Sequence, residues 1–292
     1  MPVLIDLHSH STISDGALNP ADLVKHAHKQ GVRVLALTDH DDLRGLNEAS
    51  QMANLLGVKL INGVEISVTW RKRTLHIIGL NVNPEYENLK NGLALIRQGR
   101  YNRAERMAND FARVGITGSL EGAYQIAGID IRNPDGLIGR VHFARFLVEN
   151  GYVKDTKTAF KKYLVEGKPG YVEHEWATLE DAVTWITNSG GEAVIAHPGR
   201  YDIKRTMMLL LLQEFKDLGG TAIEVVTGSH TPAQYMEYAK FAALFSLKSS
   251  TGSDYHGKGL SFMEMARLPY FPVGCVPIWH DWPDISDEDI YH

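Results

Sequence analysis

The chain has 292 residues, a formal net charge of −5 and a hydrophobic content of 44%. This length accommodates one large α/β barrel or two domains, and the composition supports a full apolar core. We expect neither membrane insertion nor export, since no apolar run approaches ~20 residues and the N-terminus lacks a signal-peptide pattern. The negative charge disfavours nonspecific binding of long nucleic acid. The single cysteine, Cys275, excludes an internal disulfide and thiolate metal cages and favours a cytoplasmic protein.

Strands alternate with helices over roughly the first eighty residues. Asn19 fits the N-cap of the first helix, and Pro20 fits its first turn. The run after Gly31 is rich in apolar and β-branched residues, as is typical of a buried parallel strand. This alternation predicts a parallel sheet or barrel. The predicted strands are 3–7, 32–38, 58–66 and 74–82, and the predicted helices are 20–31 and 43–56.

The alternation stops between residues 84 and 170, where the pattern is mostly helical. A helical block inside a strand–helix series predicts an inserted subdomain. We therefore assign residues 1–83 and 171–268 to a barrel, 84–170 to the insert, and 269–292 to a C-terminal tail with a loosely held acidic end. The further elements are helices over 86–114, 120–127, 139–150, 156–164, 179–188, 203–218 and 232–245 and strands over 192–197, 222–226 and 247–253.

Imidazole and carboxylate side chains follow the predicted strands in an order typical of a multinuclear metal site. His8 and His10 are two positions apart on a strand and therefore point to the same side, as do Asp254 and His256. The carboxyl ends of barrel strands converge on one face, so ligands distant in sequence should meet there. A structural zinc site needs four ligands; a larger set predicts two or three metals and catalysis. The candidate ligands are His8, His10, Asp15, His40, Glu65, His76, His197, Asp254 and His256.

This ligand chemistry favours manganese, zinc or iron over calcium or magnesium. His230 follows a strand and is a weaker candidate for the site. Asp6 and Asp39 flank candidate ligands, and each either orients an imidazole or binds loop backbone. The histidines that we expect to be solvent-exposed or structural are His26, His28, His174, His280 and His292.

Five motifs resemble, in order, those of the PHP (polymerase and histidinol phosphatase) family. They are His8-Ser9-His10, Thr38-Asp39-His40, Gly63-Val64-Glu65, Ala196-His197-Pro198 and Ser253-Asp254-Tyr255-His256. The segments 139–147, 167–172 and 197–201 resemble the branch described as 3′,5′-nucleotide bisphosphate phosphatase or ribonuclease AM. The resemblance covers roughly residues 3–282 and departs at no metal position.

The resemblance implies a distorted (β/α)7 barrel, an α/β fold, with a helical insert beside the active-site mouth. It also implies two or three divalent ions, manganese most often, with iron or zinc as substitutes. The implied grouping has Glu65 bridging the first two ions. The three implied groups are His8, His10, Glu65 and Asp254; Glu65, His76 and His197; and Asp15, His40 and His256.

The implied function is a metal-dependent phosphoesterase. It would remove the 3′-phosphate of nucleoside 3′,5′-bisphosphates and release 5′ mononucleotides from short 5′-phosphorylated RNA, by attack of a metal-activated hydroxide on phosphorus. No obligate protein partner and no membrane are implied. Arg140, Lys168 and Arg200 are the predicted substrate-binding residues, because guanidinium and ammonium groups hold phosphate. The predicted catalytic residues are Asp15, Glu65, His197, Asp254 and His256.

Two other functions fit the metal motifs. One is a histidinol phosphate phosphatase. The Arg140 segment and the helical insert are evidence against this function. The other is a non-catalytic PHP module that binds a partner protein, although such modules tend to lose ligands. A run of arginines three apart in the insert suggests an RNA-binding track, but steps of 300° spread the run over half of the helix and predict a solvated face. The run comprises Arg97, Arg100, Arg103 and Arg106.

Overall fold

The computed structural model describes residues 4–131, 138–173 and 176–285. The chain divides into two compact units, which we call the barrel unit (Met1–Gly92 with Ala177–His292) and the helical unit (Leu93–Trp176). The division therefore falls inside a long helix and after residue 176. His174, His292 and most of the acidic C-terminus lie outside the described residues.

The barrel unit is built on one seven-stranded sheet in which the spatial order of the strands equals their order in sequence. The first strand is hydrogen-bonded back to the last, because Leu7 N donates to Thr251 O at 3.0 Å and Ser9 bridges Tyr255. The sheet thus closes on itself, and the predicted α/β barrel is confirmed. Its strands are β1 (Ile5–Asp6), β2 (Val34–Leu37), β3 (Lys59–Trp70), β4 (Arg73–Leu80), β5 (Glu192–Ile195), β6 (Ala222–Thr227) and β7 (Lys248–Gly252).

One strand departs from the predicted parallel order. β4 runs antiparallel to both β3 and β5, while the other pairs are parallel. Arg71 and Lys72 form the two-residue turn between β3 and β4, with φ of 48° and 65°. A two-residue turn with both residues left-handed is a hairpin turn, which leaves no length for a crossover helix. This hairpin is the distortion of the barrel.

The helices lie close to their predicted positions. Asn19 accepts a hydrogen bond from Asp22 N and caps the first helix, which ends at Gly31 with φ of 97°. Glycine adopts this conformation without steric cost, so the predicted start and stop signals are confirmed. The helices are α1 (Pro20–Gln30), α2 (Leu46–Leu56), α3 (Glu87–Arg113), α4 (Ser119–Ala127), α5 (Arg140–Glu149), α6 (Thr156–Ala159), α7 (Leu179–Asn188), α8 (Arg205–Asp217) and α9 (Pro232–Phe245).

The segment predicted to be a C-terminal tail contributes to the core of the barrel unit. Ile278, Trp279 and Trp282 are buried in the cluster that the inward-facing strand residues form. Trp282 Nε1 also donates to Glu192 Oε2 at 3.4 Å. Burying two indole rings contributes several kcal/mol. The described part of this segment, up to residue 285, therefore packs into the barrel unit.

The helical unit has its own core, formed by α3, α4 and α5 around Phe111, Tyr124 and Phe143. The prediction of a solvated arginine face on α3 is wrong at two positions. Arg100 and Arg103 are each only 8% exposed, because both guanidinium groups lie over the ring of Trp176. Helix geometry alone did not reveal a partner from another segment. In the described ranges, no helix combines the length and the apolar character needed to cross a bilayer.

Candidate metal centre

The barrel brings all nine predicted ligands together. His8 and His10 follow β1, His40 follows β2, and Asp254 and His256 follow β7, as parallel strands place them. Glu65 and His76 were expected at strand ends but lie inside β3 and near the start of β4. Because β4 is antiparallel, its start lies at the barrel end where the parallel strands finish. The remaining two ligands are Asp15, in the loop after β1, and His197, directly after β5.

Glu65 is at the centre of the cluster. Its side chain is fully buried, and its two oxygens face five imidazole rings. Oε1 lies 2.9 Å from His197 Nε2 and 3.0 Å from His76 Nδ1. Oε2 lies 3.0 Å from His40 Nδ1 and 3.3 Å from the Nε2 atoms of both His8 and His10. One carboxylate therefore joins ligands from four other strands.

Two further groups flank Glu65. His8 Nε2 and His10 Nε2 lie 3.1 Å apart, and Asp254 Oδ1 is 3.4 and 3.3 Å from them. On the other side, His256 Nε2 lies 3.1 Å from Asp15 Oδ1. The ring of His256 stacks on that of His10 at 4.2 Å between centroids. His10 therefore faces Asp254 with Nε2 and Asp15 with Nδ1, the latter at 3.9 Å.

The distances define four sets of ligand atoms in which each atom lies within 4.8 Å of the others. His10 belongs to the set around Asp15 as well as to a set with His8, whereas the family resemblance placed it only in the group of His8. His76 and His197 fall in separate sets, although both contact Glu65. The four sets are His10, Asp15, His40 and His256; His8, Glu65 and His197; His8, His10 and Asp254; and His40, Glu65 and His76.

Several buried ligand atoms in the pocket lack hydrogen bonds. The close contacts of His40 Nδ1 and His76 Nδ1 with Glu65 do not have hydrogen-bond geometry, and Glu65 Oε2 forms no hydrogen bond either. The Nδ1 atoms of His10 and His197 also form no hydrogen bond in the described part of the chain. Each buried polar atom left in this state costs about 1–3 kcal/mol. Lone pairs that converge without bonding one another fit divalent cations, so the residues suit the metals that the resemblance implies.

Ionisation in the ion-free pocket is governed by burial and by the opposite charges. Burial raises the pKa of the Asp15, Glu65 and Asp254 carboxyls, but the neighbouring imidazoles outweigh it and bring each pKa well below its usual value. Burial lowers the pKa of His256, yet Asp15 and Asp254 raise it to about 10. For His197, burial and the nearby Arg200 lower the pKa to about 3. The pocket thus contains ionised carboxylates and both charged and neutral imidazoles.

Glu224 is a buried residue of the pocket that the sequence motifs did not indicate. It lies on β6, and its Oε1 accepts a hydrogen bond from His8 Nδ1 at 3.0 Å. Its Oε2 accepts from the backbone N–H of His197 at 2.5 Å. One carboxylate therefore orients two candidate ligands and directs the free Nε2 of His8 into the pocket. A glutamate inside the otherwise apolar run 222–226 is the sequence signal for it.

Replacing Glu224 with alanine should weaken metal binding by about 10–100-fold, the usual cost of losing a residue that orients a metal-bound histidine. The measurement is the metal affinity of the purified variant. Glu237→Ala, which removes an exposed carboxylate of α9, is the matched control and should leave the affinity unchanged. Equal affinities for the two variants would contradict the role of Glu224.

Arg200 is the one predicted substrate-binding residue that lies in this pocket within the barrel unit. Its Nη1 is 2.5 Å from Asp254 Oδ2, and its side chain is 43% exposed. Arg140 and Lys168 belong to the helical unit. The Lys168 side chain is exposed, whereas Arg140 is half-buried and its Nη1 donates to Leu164 O at 3.4 Å.

The weaker candidates have structural contacts. His230 Nε2 accepts from Gly199 N at 2.9 Å, and its Nδ1 donates to Val225 O at 3.1 Å. Both ring nitrogens are therefore used, and His230 supports the turn after His197. Asp6 accepts a hydrogen bond from Ser253 N at 2.8 Å, and Asp39 accepts one from Ser11 N at 2.8 Å. Of the two roles predicted for these carboxylates, both therefore have the one of binding loop backbone.

Two of the candidate ligands have a strained backbone. His197 and Asp254 have φ of 24° and 57°, a region that residues other than glycine seldom adopt. Such strain costs of order 1–3 kcal/mol and persists where a functional site requires it. The backbone is also tight beside His8, where a Cβ on Gly252 would lie 2.2 Å from the Cβ of His8. Only glycine fits at this approach.

Comparisons with known proteins give the family. The model of the PHP domain matches residues 6–186. The chain belongs to the PHP domain family. A 3′,5′-nucleoside bisphosphate phosphatase of Chromobacterium violaceum is 46% identical over 277 residues, which are 95% of each chain. The 5′–3′ exoribonuclease Rnm of Salmonella typhimurium is 38% identical over 97% of this chain and 96% of its own length.

A solved structure supports the fold of this PHP protein. A Chromobacterium violaceum protein, described as an amidohydrolase with bound sulfate and no metal, superposes with a TM-score of 0.90 at 45% identity. The match covers 99% of this chain and 97% of that protein. The predicted family, the branch within it and the class of enzyme, a hydrolase of phosphate esters, are confirmed.

Proposed function

We propose that this PHP protein removes the 3′-phosphate from nucleoside 3′,5′-bisphosphates and releases 5′ mononucleotides from short 5′-phosphorylated RNA. The observation that carries the proposal is the convergence of six imidazoles and three carboxylates on one pocket around Glu65. The relatives support the substrate class, since one is a nucleoside bisphosphate phosphatase and another a 5′–3′ exoribonuclease. A related structure contains bound sulfate, a tetrahedral dianion shaped like phosphate.

The proposal includes two or three divalent cations in this pocket, manganese first, with iron or zinc as alternatives. The donors are nitrogen and carboxylate oxygen, the set that these ions accept. The cations would supply positive charge for the phosphate oxygens and acidify water, which is the chemistry that phosphate ester hydrolysis requires. All nine predicted ligands, including the five proposed catalytic residues, would hold them. The single cysteine supports a cytoplasmic location, and no protein partner is required.

The side chains of the pocket also have electrostatic and orienting roles of their own. Glu65 contacts the imidazoles of several ligand groups, so its negative charge would stabilise cations held close together. Glu224 holds His8 in the tautomer that presents Nε2 to the pocket. Arg200 neutralises part of the Asp254 charge, and the exposed portion of its guanidinium can donate to a phosphate oxygen.

We further propose that the helical unit binds the nucleotide through Arg140 and Lys168. Both side chains are cations, and Lys168 is exposed to solvent. Burial lowers the pKa of Arg140, with a further contribution from the charge of Arg100, but does not abolish its positive charge. In this proposal the helical unit is the substrate-binding subdomain that the sequence predicts.

The test is a comparison of three substrates with the manganese-loaded protein. Adenosine 3′,5′-bisphosphate should release inorganic phosphate, and a short 5′-phosphorylated RNA should release 5′ mononucleotides. Histidinol phosphate is the control substrate and should react far more slowly. Turnover of histidinol phosphate alone, or of none of the three, would refute the proposal.

Arg200→Gln should raise KM for the bisphosphate roughly tenfold, because a charge-assisted hydrogen bond to phosphate is lost. Metal content should change little, since Asp254 keeps its contacts with His8 and His10. Steady-state kinetics with metal analysis measures both. Arg205→Gln removes an exposed arginine at the start of α8 and is the control. An unchanged KM in the Arg200 variant would remove this residue from substrate binding.

A further inference from the structure

An exposed phenylalanine lies in the loop that follows the last strand of the barrel. The Phe262 side chain is 71% exposed, more than any other aromatic side chain in the described ranges. It comes six residues after the candidate ligand His256. A single exposed apolar residue is ordinary on a protein surface. Exposure alone therefore assigns no role to Phe262.

The loop is fixed on both sides of this ring. Directly before Phe262, Ser261 Oγ accepts a hydrogen bond from the backbone N–H of His256 at 2.7 Å. Two residues after it, Glu264 Oε1 lies 2.8 Å from Nε2 of His26 on α1. These contacts hold the ring in place beside His256, so a ligand that binds the ring has little loop entropy to remove.

The ring lies next to the arginine of the metal pocket. The guanidinium carbon of Arg200 is 5.8 Å from the centroid of the Phe262 ring, within the range of a cation–π contact. The same guanidinium contacts Asp254 Oδ2 at 2.5 Å. Arg200 thus connects the ring to the candidate ligands. A phosphate group held by Arg200 would have an aromatic surface beside it.

We propose that Phe262 stacks on the nucleobase of the substrate while Arg200 contacts its phosphate. The choice of a nucleobase rests on the proposed function, which supplies a substrate with a planar base and a phosphate joined through one ribose. Every base has a π-face, so stacking on an aromatic ring tolerates any sequence. Such tolerance suits an enzyme that releases successive nucleotides from RNA. Because the ring is exposed before binding, no core residue has to move for the base to reach it.

Phe262→Ala should raise KM for adenosine 3′,5′-bisphosphate roughly tenfold, since one stacking contact with a base is lost. KM for ribose 3,5-bisphosphate, which has no base, should stay unchanged. Removing an exposed ring should also leave the fold intact, which circular dichroism checks. Steady-state kinetics of the manganese-loaded protein measures both KM values. Equal increases for the two substrates, or no increase for either, would overturn the proposal.

Three further variants separate stacking from other effects of the loop. Leu260→Ala removes an exposed apolar side chain from the same loop and should leave both KM values unchanged. Phe262→Leu keeps apolar bulk without a π-face and should behave nearly like the alanine variant. Phe262→Trp has a larger π-face and should keep KM for the adenosine substrate at or below that of wild type. A wild-type KM in Phe262→Leu would mean that apolar contact is sufficient and would refute stacking.

Fluorescence provides a measurement that does not depend on turnover. Binding of adenosine 5′-monophosphate should quench the added indole of Phe262→Trp, and ribose 5-phosphate should quench it much less. Wild type, with its five native tryptophans, is titrated in parallel as the background. Quenching by the monophosphate in a protein that hydrolyses no bisphosphate would refute the proposed function and leave the base site intact. Equal quenching by the two ligands, or none, would overturn the base site.

Short 5′-phosphorylated RNAs with one abasic nucleotide identify which base is stacked. With the first nucleotide abasic, wild type and Phe262→Ala should have the same KM. With the second nucleotide abasic, the difference between the two proteins should persist. The opposite pattern would contradict stacking on the base of the nucleotide that is released.

Discussion

Replacing Glu65 with glutamine should reduce phosphate release by roughly a thousandfold or more. Glutamine keeps the shape of the side chain but removes the negative charge that joins the ligands from four other strands. Loss of several kcal/mol of cation stabilisation corresponds to this factor, since each ~1.4 kcal/mol is tenfold in rate. The measurements are phosphate release from adenosine 3′,5′-bisphosphate and the metal content of the variant, which should fall together.

The control for this substitution is Glu214→Gln. Glu214 is also hydrogen-bonded, to Trp70 Nε1 at 2.5 Å and Arg71 at 2.7 Å, but lies outside the ligand sets. It should retain activity and metal content. Circular dichroism of both variants should match that of wild type, because the core does not depend on either charge. Near wild-type turnover of the Glu65 variant would remove this carboxylate from the chemistry.

The candidate ligands could be predicted because parallel barrel strands finish at one end. His8, His10, His40 and His197 each come directly after an apolar strand, and the barrel brings them together as expected. The division of these ligands into separate sets could not be predicted from their spacing in the sequence. It depends on ring orientation, and His10 faces one group with each of its two nitrogens.

The antiparallel direction of β4 was the main topological feature not predicted. The sequence places two strands on either side of a short basic turn, with no helix between them, and this was the available signal. Two consecutive left-handed residues, Arg71 and Lys72, are required for the turn, and non-glycine residues rarely take this conformation. Glu65 and His76 still reach the pocket because reversing β4 also reverses which end of it lies at the ligand side.

Glu224 and the arginines of α3 show a second limit of sequence reasoning. Glu224 belongs to no motif, and only its position in a fully buried strand distinguishes it. For Arg100 and Arg103, the angular spread on the helix was correctly derived, but burial depends on Trp176, more than seventy residues later. The periodicity of one helix does not show which distant segments contact it.

Metal binding at neutral pH should release about two protons per chain. In the ion-free protein, burial lowers the pKa of His8 and His256, but the surrounding carboxylates outweigh it, raising the first well above its usual value and the second to about 10. Both rings are therefore protonated at pH 7 and must lose a proton before a cation can bind them. His40 and His197, whose pKa values burial lowers, are already neutral and release none.

The sign of the pH dependence follows from these shifts. Protons compete with the cation for the imidazole nitrogens, so the apparent affinity for manganese should rise with pH and fail below about pH 6. Calorimetry in two buffers of different ionisation enthalpy counts the protons, and His256→Ala should release one fewer than wild type. A binding heat that does not depend on the buffer would mean that the rings are neutral before the cation arrives. In that case the pocket would be organised for metal in advance, and the imidazolium–carboxylate pairs of the ion-free chain would not form.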